Sequence, residues 1–382
     1  MERGKIRPSE DQIDFLAELI SRKHKGIIIC GPRCPAGDFP AAVGRLAETC
    51  GYPIFADPLS GLRFGPQVSN APICGGYETF LRFPLKIPRP ELVLYFGAVP
   101  SSKRLNQYLA GCEAADHIHV RENGIWADEN HRTSRYLQAN AADLCLALEN
   151  KLVEPRTSSW LDDWQQLEAQ CWSELSRAMD RLDFDGAYVA DLMALLPDGS
   201  ALLAGNSLPV RHVDQFARPS EKSVRVYANR GASGIDGNIS TGLGIAANGR
   251  CPTTILTGDI TFYHDSNGLL ALRKMKQEGV TLVVLNNDGG GIFRRLPVAQ
   301  FDPPFTELFQ AAHGLDLSSI ARTYDLDYHR PRSKREMQTL FSVQPPKTDA
   351  RLIEIKTDAA QDNLKRDELE SLVGRRLADT WT

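Results

Sequence analysis

Short apolar runs recur along the whole chain, and most are followed by a polar loop that contains glycine. Several of these loops lead into a segment with helical spacing. In the first part of the chain these runs lie at 26–30, 53–56, 92–97 and 117–120. Short apolar runs between such loops are typical of buried strands. Because strands that alternate with helices are joined by right-handed crossovers, the pattern predicts a parallel sheet covered by helices.

The alternation stops near residue 152 and resumes in the second half of the chain. The stretch 153–159 contains proline and serines and is the best linker candidate, and 160–181 has the apolar spacing of a long amphipathic helix. The strands predicted beyond it lie at 201–204, 224–227, 254–257, 282–285 and 352–355. A chain of 382 residues suits two α/β domains. We therefore predict two doubly wound α/β domains with mainly parallel sheets, at 1–152 and 160–382.

The composition excludes several broad classes of protein. Hydrophobic residues make up 42%, charged residues 24%, and the net charge of −4 does not favour nucleic acid. No apolar run reaches the roughly 20 residues that span a bilayer. Among the eight cysteines the closest pair is Cys30 and Cys34, and no second pair completes a zinc pattern. We expect a cytoplasmic protein with reduced thiols, no nucleic-acid partner and no membrane span.

Polar residues follow two of the predicted strands in the second domain. Gly258 and Asp259 come directly after the run 254–257, and Asn287 comes after the run 282–285. A predicted helix at about 267–277 separates the two strands. Ligands of doubly wound sheets bind outside the carboxyl ends of the strands. We therefore expect Asp259 and Asn287 to lie side by side at one edge of the sheet.

The residue types in these two loops suit a hard cation. Mg²⁺ prefers oxygen ligands and commonly shares its shell with phosphate groups. The Asp259 carboxylate, the Asn287 amide oxygen and the Gly289 carbonyl would leave room for two diphosphate oxygens and a water, and glycines at 289–291 would allow close backbone approach. The alternative is a simple turn without a metal, because Asn-Asn-Asp-Gly turns are common.

The segment from Gly258 to Asn287, 30 residues counted inclusively, resembles the motif of thiamin diphosphate enzymes, in which Gly-Asp is followed by Asn-Asn. The flanking stretches read GNSLPVR at 205–211, NRGASGIDG at 229–237, HDSNGL at 264–269 and IFRRLP at 292–297. Together they resemble the 2-succinyl-5-enolpyruvyl-6-hydroxy-3-cyclohexene-1-carboxylate synthase family (MenD) of menaquinone biosynthesis. The resemblance is strong over about residues 200–300, moderate over the first domain and weak after residue 330.

The resemblance departs from the family pattern in two places. Ile260 follows the motif aspartate, where the family often has glycine. Arg294 and Arg295 stand where smaller residues are expected.

The resemblance implies a transferase, a carboligase that uses thiamin diphosphate with Mg²⁺ or Mn²⁺. It would decarboxylate 2-oxoglutarate and add the succinyl-semialdehyde unit to isochorismate. The cofactor supplies the covalent chemistry, and the protein supplies binding, orientation and electrostatics.

The resemblance also implies roles for individual residues. Metal ligands would be Asp259, Asn287 and Gly289. The implied cofactor-binding set comprises Ile235, Gly258, Asp259, Asn287, Gly289, Gly290, Ile292, Phe293 and Leu296. The implied substrate-binding set comprises Lys103, Arg104, Ser207, Arg211 and Arg230. Arginine forks suit substrates that, like these two, are dicarboxylates.

One part of the family's active site is not recognisable in these residues. Family members carry an activating glutamate on a pyrimidine-binding domain that precedes the middle domain, and no strand–Glu element of that kind stands out in 1–150. We therefore assign no catalytic residue and expect the chain to be inactive alone. It would need a pyrimidine-domain polypeptide or a full-length copy, and a homo-oligomer of it would present half-sites. Two alternatives stay open: a diphosphate-domain subunit of a split two-chain enzyme, and a non-catalytic cofactor-binding module.

Overall fold

A computed structural model gives the fold of this protein. It describes residues 4–87, 89–126, 128–152, 159–249, 251–275, 279–342 and 350–381. Most of the predicted linker, 153–158, lies outside the described residues, so the predicted domain boundary stays a prediction.

The chain folds as two compact units. The first unit comprises Met1–Glu174 together with Arg218–Glu221 and Val373–Thr382. The second unit comprises Leu175–Ala217 and Lys222–Leu372.

The described part of the first unit contains one six-stranded sheet whose strands are all parallel. Its strands are β1 (Gly26–Cys30), β2 (Ile54–Ala56), β3 (Ile73–Cys74), β4 (Leu92–Phe96), β5 (Asp116–Val120) and β6 (Arg135–Leu137). The strand order is β3-β2-β1-β4-β5-β6. The order reverses between β1 and β4, which makes the carboxyl ends of these two strands the topological switch point.

Helices cover both faces of this sheet. They are α1 (Glu10–Arg22), α2 (Phe39–Cys50), α3 (Tyr77–Phe80), α4 (Lys103–Ala110), α5 (Ala141–Lys151) and α6 (Ser159–Arg181). On one face, Leu16, Leu46 and Leu144 of α1, α2 and α5 join the core built on Ile28 and Leu94. Successive residues of a strand face opposite sides, so Phe55 of β2 lies on the other face, where Trp164 of α6 meets its ring edge-on at 5.1 Å.

The two loops at the switch point of the first unit pack against each other. The Gly31 N–H donates to the Phe96 carbonyl at 2.9 Å, and the Ala98 N–H donates to the Pro32 carbonyl at 2.6 Å. Gly97 has φ +79°, and a Cβ there would lie 2.7 Å from the Gly31 oxygen. Glycine is required at Gly97 because both the backbone conformation and the close approach exclude a side chain. The loops after β1 and β4 therefore meet backbone to backbone.

The described part of the second unit also contains one six-stranded, all-parallel sheet. Its strands are β7 (Ser200–Ala204), β8 (Val224–Tyr227), β9 (Thr253–Gly258), β10 (Val280–Asn286), β11 (Asp327–His329) and β12 (Arg351–Lys356). The strand order is β11-β12-β10-β9-β7-β8. The chain moves from β7 to β8 on one side and then to β9 on the other, so the switch point lies between β7 and β9.

The helices of the second unit again lie on both sides of the sheet. They are α7 (Asp185–Leu195), α8 (Leu208–Phe216), α9 (Asn238–Gly249), α10 (Asp259–His264), α11 (Leu270–Met275), α12 (Leu317–Thr323), α13 (Lys334–Ser342) and α14 (Ala359–Trp381), whose residues from Val373 onward belong to the first unit. Leu243 of α9 and Leu317 of α12 share a core with Ile255, Leu282 and Leu352 of the sheet. This packing buries one face of β9, β10 and β12 and leaves their carboxyl ends for the site.

The predicted fold class, two doubly wound α/β sheets with parallel strands, is confirmed. All nine predicted strands are present within one or two residues of the predicted bounds. The predicted helix at 267–277 differs: a 3₁₀ turn at Ser266–Leu269 precedes α11, and residues 276–278 lie outside the described part of the chain. Gly268 and the hydrogen bond from its N–H to the Asp265 carbonyl favour the tighter turn at this position.

None of the helices in the described part of the chain combines the length and the apolar character that a bilayer crossing requires. The eight cysteines are free thiols.

Candidate functional site

A cleft of about 150 Å³ opens at the switch point of the second unit. It lies at the carboxyl ends of β7, β8, β9 and β10. Its lining comprises Asp185, Ser207, Leu208, Pro209, Ile235, Gly258, Asp259, Ile260, Thr261, Leu285, Asn287, Gly289, Gly290, Gly291, Ile292, Phe293, Phe309 and Ala311. The cleft therefore contains both polar loops that the sequence singled out.

Asp259 is the first residue of α10, directly after β9, and is 3% exposed. Its Oδ1 accepts from the Ile260 N–H at 2.7 Å, and its Oδ2 accepts from the Gly289 N–H at 3.0 Å. The second contact is possible because β9 and β10 are parallel neighbours in which Leu285 pairs with Gly258. The departure at Ile260 does not disturb this arrangement, because the donor is the backbone.

The two adjacent asparagines at the end of β10 have different surroundings. Asn286 is 1% exposed, its side-chain amide donates to Glu354 Oε1 at 2.6 Å, and its Oδ1 accepts from the Asp288 N–H at 3.1 Å. Asn287 lines the cleft, and its Oδ1 is buried without a hydrogen-bond partner among the described residues. Buried polar atoms nearly always have a partner. Asn286 therefore shapes the turn, and Asn287 presents an oxygen that a bound cation would satisfy.

The glycines after Asp288 accommodate a second segment of backbone. Gly289 has φ +126°, and a Cβ there would lie 1.9 Å from the Gln310 carbonyl oxygen. The Gly290 N–H donates to this same oxygen at 2.5 Å. Residues 309–311 therefore pack directly on the loop, and the absence of side chains at these glycines is what lets them do so. The predicted close approach of the loop to a diphosphate stays a prediction.

The Gly289 carbonyl accepts a hydrogen bond from the Gly291 N–H at 2.7 Å. A carbonyl oxygen has two lone pairs, so this bond leaves one for a cation. Together with the Asp259 carboxylate and the Asn287 amide oxygen, the donor set fits Mg²⁺ or Mn²⁺.

The loop after β7 is strained and clamps the loop after β8. Ser207 has φ 72° and ψ −129°, a region that non-glycine residues rarely occupy. The Asn206 amide donates to the carbonyls of Asn229 at 2.9 Å and Gly234 at 2.6 Å. These bonds hold Ile235 in the wall of the cleft, where its side chain is half-buried.

The two predicted substrate arginines of the second unit lie next to this loop and outside the cleft lining. Arg211 is exposed, and its Nη1 donates to the Ser207 carbonyl at 2.5 Å. Arg230 is half-buried, and its Nη1 donates to Asn206 Oδ1 at 2.9 Å. Both guanidinium groups are therefore anchored to the residues that follow β7.

Apolar side chains form the rest of the wall. Ile292 and Phe293 line the cleft, and Phe309, whose ring centroid lies 5.6 Å from that of Phe293, closes it. Leu296 is 46% exposed and is outside the lining, so its predicted contact with a cofactor stays a prediction.

The arginines that depart from the family pattern are also outside the lining. Arg294 donates to Gln310 Oε1 at 2.8 Å, and Arg295 lies 3.7 Å from Glu370. They do not fill the pocket, because both side chains are held within the fold.

A buried group of charged residues stands behind the cleft. Asp185, in the cleft lining, accepts from Arg366 Nη2 at 2.7 Å on Oδ1, and His212 Nε2 lies 2.9 Å from its Oδ2. Burial opposes the charge on Asp185, but His212 and Arg366 outweigh burial and lower the pKa of this carboxyl. Burial, followed by the charge of Asp185, raises the pKa of Asp362 to about 7. The Asp185 N–H donates to this second carboxyl at 3.2 Å.

Lys103 and Arg104 lie in the first unit, in the first turn of α4. Lys103 is exposed and Arg104 is half-buried. Their predicted contact with substrate stays a prediction.

Several residues of the site were not predicted. Asp185 starts a helix far upstream of the motifs. Phe309 lies in a short π-helical turn, Thr306–Gln310, and Ala311 and His313 follow it in irregular backbone, so none of the three belongs to a periodic pattern. Asn206 lies in the stretch 205–211 that carries the resemblance, two residues after the predicted strand 201–204. This position at a strand end is the sequence signal that points to its role.

The fold and the cleft together define a class of site. A carboxylate, an amide oxygen without a partner among the residues that the structure describes, and a glycine loop meet at the ends of neighbouring parallel strands, beside a switch point. This is how α/β proteins hold a phosphate group through a cation.

Comparison with known proteins agrees with this class. A family model described as "Middle domain of thiamine pyrophosphate" matches residues 7–203. The chain belongs to this family of thiamine pyrophosphate enzymes.

Relatives named 2-succinyl-5-enolpyruvyl-6-hydroxy-3-cyclohexene-1-carboxylate synthase are similar over nearly the whole chain. The one from Roseiflexus sp. (strain RS-1) is 47% identical over 94% of this chain and 61% of its own length. The one from Roseiflexus castenholzii is 46% identical over 95% of this chain and 62% of its own length. The one from Bacillus velezensis is 35% identical over 97% of this chain and 64% of its own length. The chain thus spans less than two thirds of the length of these relatives.

Proposed function

We propose that the cleft of the second unit binds the diphosphate end of thiamin diphosphate through Mg²⁺. We further propose that the protein serves the reaction of the synthases it resembles, in which 2-oxoglutarate is decarboxylated and its succinyl unit joined to isochorismate. The observation that carries the proposal is the buried Oδ1 of Asn287, which has no hydrogen-bond partner in the described part of the chain and lies beside Asp259 at the ends of two adjacent strands.

Asp259, Asn287 and the Gly289 carbonyl would hold the cation. The backbone donors on both oxygens of Asp259 support this role, because they fix the carboxylate at the edge of the sheet. The bond that Asn286 makes to Glu354 supports it too, since it holds the turn that presents Asn287.

Bound thiamin diphosphate supplies the carbanion chemistry that decarboxylation requires. Ile235, Ile292 and Phe293 would surround its reactive end with apolar side chains. Such surroundings favour decarboxylation, because charge is dispersed as carbon dioxide leaves and an apolar wall does not stabilise the carboxylate. They would also exclude water.

Arg211 and Arg230 would bind substrate carboxylates, with Ser207 as a polar contact between them and the cleft. A guanidinium group presents five N–H donors in a planar fork that matches a carboxylate. The anchors at Ser207 and Asn206 would orient the two forks. Lys103 and Arg104 are proposed to assist from the first unit.

The first test of the proposal is cofactor binding. Thiamin diphosphate is titrated into the purified chain by calorimetry, with and without Mg²⁺, for the unchanged protein and for Asp259→Ala. We expect Mg²⁺ to raise the affinity of the unchanged protein and to have no effect on the variant. Equal Mg²⁺ dependence in both proteins would contradict the proposed metal ligands.

The second test is turnover of 2-oxoglutarate with isochorismate. The chain is assayed alone and with a polypeptide covering the part of the relatives that it does not span. We expect turnover in the mixture and none with the chain alone. In an active preparation, Arg211→Ala and Arg230→Ala should raise KM for substrate and leave cofactor affinity unchanged. Cofactor binding without turnover in any preparation would contradict the carboligase and favour a cofactor-binding module.

A further inference from the structure

The segment that follows Phe309 is fastened to the turn after β10. The Asp288 carboxylate accepts from the backbone N–H groups of His313 at 3.2 Å and Gly314 at 2.8 Å. The Gly290 N–H bonds the Gln310 carbonyl from the other side. These contacts bring the His313 side chain to the back of the proposed cation site, and the side chain is 13% exposed there.

The backbone fixes which nitrogen of His313 carries a proton. The Leu315 N–H donates to His313 Nδ1 at 2.9 Å, so Nδ1 acts as an acceptor and has no hydrogen of its own. In the neutral ring the hydrogen then lies on Nε2. Nε2 is buried, lies 3.3 Å from Asp259 Oδ2, and has no hydrogen bond of good geometry among the described residues.

This tautomer separates two roles that His313 could have near a cation. A metal ligand would need a lone pair on Nε2, and the hydrogen would then lie on Nδ1, pointing at the Leu315 N–H. The bond from Leu315 opposes that arrangement. His313 therefore meets the site as a donor toward Asp259.

We propose that His313 is a positioning residue that orients the Asp259 carboxylate for the cation. The inference rests on the proposed function, since it concerns the same metal site. Asp259 already receives one backbone donor on each oxygen, from Ile260 and Gly289. The His313 ring holds Nε2 3.3 Å from Oδ2, so a small turn of the carboxylate toward a cation would bring this third donor into hydrogen-bonding geometry. Donors of this kind hold a metal-binding carboxylate in one orientation, and losing one costs roughly 10–100-fold in metal affinity.

Two substitutions at position 313 separate the donor from the rest of the ring. In His313→Asn the side-chain oxygen can still accept from the Leu315 N–H, but the side chain is too short to reach Asp259. In His313→Gln the longer amide can donate to Asp259. Both are neutral and polar, so each serves as the control for the other.

The experiment measures Mg²⁺ affinity in the presence of saturating thiamin diphosphate, and Mn²⁺ affinity by electron paramagnetic resonance, on the full chain. We expect His313→Asn to weaken metal affinity roughly 10–100-fold and His313→Gln to restore it to within a few-fold of the unchanged protein. At saturating Mg²⁺ all three proteins should bind the cofactor equally. Thermal unfolding of each is followed alongside.

The outcomes separate this inference from the proposed function. If Asp259→Ala abolishes metal dependence and His313→Asn leaves it unchanged, the positioning role is wrong and the metal site stands. If both His313 variants lose affinity equally and unfold at lower temperature, the residue is structural and the inference is overturned. If Asp259→Ala retains Mg²⁺ dependence, the metal site itself is wrong.

Discussion

The carboxyl edges of the two sheets differ, although both sheets reverse their strand order in the same way. In each, the first residue after the central strand donates to the neighbouring strand: Gly31 to Phe96 in the first unit, and Gly205 to Leu256, at 2.7 Å, in the second. Beyond that bond the loops of the first unit continue in contact. The loops of the second unit separate around the cleft.

The difference shows that topology alone does not make a site. A switch point offers a crevice, but glycines at 31 and 97 let the first unit close it with backbone. The second unit keeps its crevice open, with a strained Ser207, a buried carboxylate at Asp185 and an oxygen on Asn287 that no described residue hydrogen-bonds. The open crevice lowers the stability of the second unit through backbone strain and through buried polar groups, and substitutions can measure both effects.

The largest effect is expected from the charges behind the open edge. Asp185→Ala leaves Arg366 buried without its carboxylate, so the free energy of unfolding should fall by about 3–5 kcal/mol. Urea unfolding followed by far-ultraviolet circular dichroism measures the change. The matched control is Asp38→Ala, at an exposed helix start without a side-chain cap bond, which should change stability by less than about 0.5 kcal/mol. Equal effects would mean that the buried pair does not support the second unit.

We expect the ionisation of Asp362 to change the free energy of unfolding by about a few kcal/mol between low and neutral pH. Its pKa is raised from 3.8 to about 7, so the folded protein holds a proton that the unfolded chain releases near pH 4. The neutral Asp362 carboxyl therefore costs the folded protein nothing at low pH. As pH rises from about 4 to about 7, the free energy of unfolding falls, by about 1.4 kcal/mol for each unit of the pKa difference. Asp362→Asn should remove this loss. Unfolding curves of both proteins at several pH values test it, and parallel profiles would contradict it.

The closed edge of the first unit should be intolerant of a methyl group. A Cβ on Gly31 would lie 1.7 Å from the Ala98 oxygen, so Gly31→Ala should cost about 3 kcal/mol. Gly258→Ala is the counterpart at the open edge, where a Cβ would have no described atom within 4 Å apart from its chain neighbours, and it should cost less than about 0.5 kcal/mol. All five tryptophans lie in the first unit, so tryptophan fluorescence reports its unfolding. A tolerated Gly31→Ala would show that the two edges are equally adaptable.

The two asparagines after β10 should respond in opposite ways. Asn286→Ala removes a donor from buried Glu354 and should lower stability by about 1–3 kcal/mol. Asn287→Ala removes an oxygen without a partner among the described residues, so stability should hold while Mg²⁺-dependent cofactor binding is lost. Thermal unfolding and calorimetric titration of both variants measure this. Loss of stability in both would show that Asn287 serves the fold.

The smallest effect is expected from relieving strain. Ser207→Gly should raise stability by about 1 kcal/mol, because glycine adopts φ 72° without the penalty that serine meets. A rise in the thermal midpoint checks this, with Ser60→Gly as a control at a serine of the first unit that lies outside the cleft. A lower midpoint for Ser207→Gly would mean that the serine side chain stabilises the loop more than its backbone strains it.

Much of the fold followed from pattern alone. The fully buried strands are short apolar runs flanked by loops, and these gave β1, β4, β9 and β10 nearly to the residue. The edge strands β3, β6 and β11 were not predicted, because they have two or three residues and pair on one side only. Such strands have little apolar character to detect.

The site was predictable where chemistry follows a strand. Asp259 and Asn287 lie at strand ends, so their meeting followed from parallel pairing. The role of Asn286 could not be separated from that of Asn287, because its partner Glu354 comes from a strand far along the chain. The role of His313 could not be predicted either, since only the hydrogen bonds from the backbone of residues 313 and 314 to Asp288 bring it to Asp259.

The hydrogen bonds from residues 313 and 314 to Asp288 also limit the motions of the site. The bond from the Gly314 N–H to the Asp288 carboxylate joins the two ends of the segment 288–314. Joining the ends of a loop reduces the number of conformations open to all the residues between them. We expect a ligand that engages Asn287 and Gly289 to bind the closed arrangement and so to lower the population of opened forms by mass action. Amide hydrogens across 289–314 should then exchange with solvent more slowly when the cleft is filled, which makes the whole segment a reporter of occupancy.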